Sequence, residues 1–150
     1  MANTFDFNLL AHSPERLNVI SSKLGPDIAT KYTDLDKKKP VKAQAGGRHV
    51  ICSDGDELEG WLDSVEAFTT DGFSFGGVAR GNAGFRVEAQ VATAVSTPLV
   101  FGDLVVAGIQ LARGTKGLPQ VKKGTPAVHK YRVLRLTTGA AGSLVLLEKV

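Results

Sequence analysis

Cysteine is almost missing from this chain of 150 residues: Cys52 is the only one. A single thiol excludes an intrachain disulfide and a cysteine-rich zinc site. Aromatics are also few, with seven Phe, two Tyr and one Trp, whereas single-strand nucleic-acid platforms use several exposed rings. No apolar run approaches the roughly 20 residues that span a bilayer; Leu144–Leu147 is among the longest. The opening Met1-Ala2-Asn3-Thr4-Phe5-Asp6 has no basic stretch followed by an apolar one, so it does not read as a secretory signal. The three histidines, His12, His49 and His129, stand far apart and show no short metal-ligand spacing. These absences point to an intracellular soluble chain, or part of a particle assembled inside a cell, with no metal and no cofactor.

Charge of one sign is weak too. Eighteen Lys and Arg against fifteen Asp and Glu leave +3, which bears on solubility more than on partners. The densest basic cluster is Lys37-Lys38-Lys39-Pro40-Val41-Lys42, preceded by Asp34 and Asp36. It reads as a solvated segment, with nucleic acid disfavoured as a partner.

What the chain does have is glycine, 17 residues, above the usual share of about 7%. The glycines fall between short apolar runs, as in strands separated by tight turns. Phe85-Arg86-Val87-Glu88-Ala89-Gln90-Val91 has the strict two-residue period of a half-buried strand. Gly60–Phe68 alternates as well, and Asp71-Gly72 is a hairpin dipeptide. About eight to ten strands are expected after Arg48, with no repeat of solenoid or propeller length. The fold class is all-β: a small β-sandwich or jelly-roll-like barrel over residues 48–150. Residues 1–47 read as an N-terminal arm. Within it, Phe5, Phe7 and Leu9 alternate as a short strand, Ser13-Pro14-Glu15 has the form of a short helix start, and Lys31–Gly47 is a long loop.

Motifs for chemistry fail on context. Gly72-Phe73-Ser74-Phe75-Gly76 fits G-x-S-x-G, and Asp103 and His129 follow in order. The helix that motif requires would have to run through Gly76, Gly77, Gly81 and Gly84. Gly76-Gly77-Val78-Ala79-Arg80-Gly81 likewise lacks the helix of a dinucleotide site. Asp54, Asp56, Glu57 and Glu59 lack the ligand order of a calcium loop. Trp61, Phe68, Phe73 and Phe75 read as core, and Cys52 as a small packed hydrophobe. No catalytic residue is assigned, and the chain is not read as an enzyme.

Three stretches, Asp54–Leu62, Phe73–Gly81 and Gly102-Asp103-Leu104-Val105-Val106, resemble the small β-rich decoration, or cement, proteins of tailed-bacteriophage capsids. The resemblance covers the middle third of the chain and is one of style. It implies a structural virion protein that sits on the outer capsid surface between major capsid protein subunits, as a dimer or trimer, and is assembled in the host cytoplasm. Under it, a terminal segment would add a strand to a neighbour's sheet. The residues expected to meet the partner are Thr4, Phe5, Phe7, Leu9 and Leu10, with Lys37, Lys38, Lys39 and Lys42 reaching acidic surface. The competing reading is another non-enzymatic binding module, either a phage tail or adaptor protein or a carbohydrate-binding β-sandwich.

Overall fold

The computed structural model describes residues 17–66, 71–93 and 97–150. They are all-β, with ten strands: β1 Leu17–Leu24, β2 Pro40–Gln44, β3 Arg48–Ile51, β4 Gly60–Glu66, β5 Ser74–Gly81, β6 Arg86–Val91, β7 Leu104–Ala107, β8 Gln120–Lys123, β9 Tyr131–Leu136 and β10 Leu144–Lys149. They form two five-stranded closed barrels, β1-β3-β2-β4-β5 and β10-β6-β8-β7-β9.

Two stretches fold differently from their sequence reading. Leu17–Leu24, which follows the expected short helix start and is not read as a strand, forms β1; the β-branched pair Val19-Ile20 and the two serines favour extended backbone. Lys31–Gly47, read as a loop of the arm, carries a 3-10 helix at Asp34–Asp36 and strand β2. Both β1 and β2 are staves of the first barrel.

The barrels are copies of one plan. In each, the first strand runs parallel to the third and antiparallel to the fifth (β1 with β3 and β5; β6 with β8 and β10). The second strand pairs with the third and fourth in each (β2 with β3 and β4; β7 with β8 and β9). The match extends to single hydrogen bonds. Gly25 N–H donates to His49 O at 2.9 Å, as Ala92 N–H does to Val121 O at 2.9 Å. Lys38 N–H donates to Leu62 O at 2.8 Å, and Gly102 N–H to Val133 O at 2.9 Å. Lys38 has φ 81 and Gly102 φ 88, so both halves turn through the left-handed region at the same place. A register shift interrupts β4–β5 pairing after Leu62 and β9–β10 pairing at the matching point.

The interiors repeat the plan with aliphatic side chains. Leu24, Val41, Leu62 and Val78 in the first barrel correspond to Val91, Val105, Val133 and Leu147 in the second, and all eight are fully buried. Spacing between matched residues varies from strand to strand because the connecting loops differ, which hides the repeated plan from a search for a fixed period.

One core binds the halves together. Cys52, Leu58, Trp61 and Ala79 of the first barrel pack with Phe85, Val87, Val105, Tyr131 and Val133 of the second. Gly60, Trp61 and Leu62 are buried in succession: Leu62 joins the interior cluster of the first barrel, and Trp61 the shared one. Both faces of β4 are covered there, so alternation gives way to a continuous buried run.

Candidate functional site

Acidic side chains fasten the junction between the barrels. The Glu57 carboxylate accepts the backbone N–H groups of Ala127, Val128 and His129 at 2.8, 3.0 and 2.7 Å. Those bonds, led by that of His129, hold its pKa below the ordinary glutamate value. Asp36, fully buried, accepts from Lys39 Nζ at 2.6 Å and from Gly114 N–H at 2.7 Å. Lys39 Nζ also donates to Ala112 O at 2.9 Å. Trp61 Nε1 donates to the Tyr131 hydroxyl at 3.1 Å, and the rings meet edge to face. Burial pushes the Tyr131 hydroxyl up to about 12.

This arrangement corrects the lysine expectation. Lys38 and Lys39 are buried, so neither can reach a partner's surface. Lys42 pairs with Asp56 at 2.8 Å, and Lys37 lies 4.0 Å from Asp34. Acids before and after the lysine run thus fold back onto Lys37, Lys39 and Lys42. Thr4, Phe5, Phe7, Leu9, Leu10 and Phe68 lie outside the described residues.

The remaining motif residues also find structural places. Ser74 is fully buried in β5, and its hydroxyl accepts Tyr32 N–H at 3.1 Å. Asp103 closes a turn and the backbone of His129 is held by the Glu57 clamp, so each has a structural place apart from the Ser74 hydroxyl's bond to Tyr32. Asp54 pairs with Lys122 at 2.9 Å, and Glu59 accepts Ala43 N–H at 3.2 Å. The four acids of the supposed calcium loop therefore face different partners. Cys52 is buried, and burial raises its thiol to about 12. Trp61, the ring on which a sugar platform would depend, has no exposed surface. Phe73 and Phe75 are only half-buried, and Phe73 lies under the Arg48 guanidinium, 5.1 Å from its ring centre.

Exposed large apolar side chains occur in β1 (Val19, Ile20), in the 3-10 helix (Leu35) and in loops. Phe101 is 73% exposed and Val100 57%. Their turn is pinned: Val100 N–H donates to Asp103 Oδ2 at 2.9 Å, Asp103 N–H returns to Val100 O at 3.1 Å, and Gly102 supplies the positive φ. Leu99, buried beneath, donates its N–H to Gly139 O at 3.0 Å. A fixed turn thus holds a bare aromatic ring in solvent. Gly102-Asp103 is legible in the sequence as a turn; the exposure of the ring just before it is not.

Two concavities lie on the surface of the described residues. A groove of about 330 Å³ lies over β9 and β10, lined by Leu136, Leu144, Leu146, Arg135 and Glu88. A more polar cleft of about 410 Å³ separates Tyr32, Lys42 and Ile51 from Leu111 and Arg113. Among the described residues, no group of three or more His, Cys, Asp or Glu side chains is placed to hold a metal ion. The chain matches no protein-family model and no curated protein.

Proposed function

We propose that this chain is a structural virion protein that binds the outer surface of a bacteriophage capsid between major capsid protein subunits and stabilises the shell. The observation that carries the reading is the pinned turn presenting Phe101 at 73% exposure. Large apolar groups held in solvent by a rigid frame mark interaction sites. Two barrels that share a packed core form a stiff body, which suits a part whose work is adhesion. The resemblance of Gly102–Val106 and its companion stretches to capsid decoration proteins supplies the class of partner. Repeated engagement over a symmetric shell raises occupancy when each copy binds weakly. Under the same proposal the chain acts as a dimer or trimer, without catalysis.

Sedimentation of the full chain with purified shells tests this. The wild type pellets with expanded shells, and shells lacking it break at lower stress. Phe101→Ser forfeits burial of one aromatic side chain, about 2 kcal/mol, and weakens binding roughly 10-fold or more; its circular dichroism stays unchanged because the ring makes little contact within the chain. A chain that never pellets with shells refutes the role, and a Phe101→Ser variant that binds as tightly as wild type refutes the surface.

A further inference from the structure

The two barrels follow one plan but differ in the connection between their second and third strands. Residues 45–47 join β2 to β3, whereas residues 108–119 join β7 to β8. A connection longer than the plan needs tends to carry function. This one folds against the first half of the chain. Asp36, fully buried, accepts Gly114 N–H at 2.7 Å, and Lys39 Nζ donates to Ala112 O at 2.9 Å. Thr115 N–H closes the turn on Ala112 O at 2.9 Å, with Gly114 at φ 84. The residues on both sides of Arg113 are thus held by one buried ion pair. Such a pair adds little net stability by itself; here it fixes the backbone that presents Arg113.

Arg113 and Leu111 form one wall of the cleft of about 410 Å³, opposite Tyr32, Lys42 and Ile51. The polar groups there are donors. Arg113 is exposed, and its guanidinium has no hydrogen bond or ion pair among the described residues. Asp27 registers the Arg113 charge only weakly: its carboxyl is held low first by the bonds from Thr30 and last by Arg113. Lys42 Nζ pairs with Asp56 at 2.8 Å, and an ammonium has three protons to donate. The Tyr32 hydroxyl accepts Ile51 N–H at 3.0 Å, which leaves its own proton to donate. None of the described residues lining the cleft is an acid. Two cations and a hydroxyl around an acid-free space match the oxygens of an anion.

We propose that this cleft binds a small organic anion, with its carboxylate or phosphate oxygens between Arg113 and Lys42 and its carbon frame against Leu111 and Ile51. A planar guanidinium takes two such oxygens at once, which an ammonium does not. The volume falls within the range of small-ligand sites, about 300–1,000 Å³. The site goes beyond shell binding and does not depend on it.

Calorimetric titration of the full chain at constant ionic strength decides it. Benzoate and phenyl phosphate share a ring and differ in the anion; benzyl alcohol has the ring without the charge. At least one anion should saturate with a Kd of about 1 mM or below, and the tighter of the two identifies the class. Benzyl alcohol should not saturate. Arg113→Gln should weaken the tighter anion about tenfold or more, with circular dichroism unchanged because the side chain is exposed. Lys116→Gln removes the same charge from an exposed position on the same connection, outside the cleft lining, and should leave the affinity as it was. Failure of both anions to saturate overturns the inference, as does equal binding of benzyl alcohol or undiminished affinity in Arg113→Gln. An equal loss in Lys116→Gln would reduce the effect to bulk charge and overturn it too. A chain that pellets with shells yet binds neither anion loses this inference alone.

Discussion

His49 shows what a single residue contributes here. Its Nδ1 lies 2.8 Å from Ser22 Oγ, and both side chains are buried. The hydroxyl also donates to Lys23 O at 2.9 Å, which leaves its oxygen free to accept from a protonated Nδ1. Burial holds the His49 pKa below its ordinary 6.5, with Arg80 adding to the effect and Glu59 opposing it. His129 is lowered as well, first by burial and then by Lys149. A base whose folded pKa is depressed takes up its proton more readily when unfolded. Each histidine therefore leaves stability intact above about pH 6.5 and erodes it as pH falls from there through the folded value. Thermal unfolding measured from pH 7.5 to 5.5 should show a falling Tm, and His49→Asn should flatten the slope. An unchanged slope in that variant would show that His49 is already as free to protonate as in the unfolded chain.

At the scale of elements, the sequence and the structure part where polarity is buried. β6 was legible because its burial alternates strictly. β4 was legible in place, but not in its buried Gly60-Trp61-Leu62 run, since one-dimensional alternation cannot register a second barrel packed on the outer face. β2 and the 3-10 helix before it were hidden by Lys37-Lys38-Lys39: a lysine run normally signals solvent, and here Asp36 draws Lys39 inside. The clamp of Glu57 on residues 127–129 joins segments 70 and more positions apart, beyond the reach of any spacing rule. The Asp36–Lys39 pair makes the strongest test of this account. Asp36→Ala strands a buried ammonium and also frees Gly114 N–H, so it should cost roughly 3–5 kcal/mol in urea unfolding. Replacing both partners by apolar residues of similar size, Asp36→Leu with Lys39→Met, should recover much of that loss. A single variant as stable as wild type would mean the pair is not held as tightly as its 2.6 Å separation requires.

On the scale of the whole molecule, the repeated plan and the shared core belong together. A barrel of this size has a small interior: the first encloses Leu24, Tyr32, Val41, Leu62 and Val78. Domains of about 60 residues bury a smaller share of their surface than larger ones and are correspondingly marginal. The cluster around Trp61 and Tyr131 is continuous with the interior of the second barrel and draws in Cys52, Leu58, Trp61 and Ala79 of the first. The two halves should consequently unfold as one unit. Trp61 fluorescence reports the junction, and far-ultraviolet circular dichroism reports the strands of both barrels. The two probes should give coincident urea transitions. Trp61→Ala opens a cavity between the halves at a cost of roughly 3–5 kcal/mol, enough to separate the transitions or to unfold the chain outright. A Trp61→Ala protein that keeps the wild-type midpoint by circular dichroism would show that burial of Trp61 is not what holds the halves together.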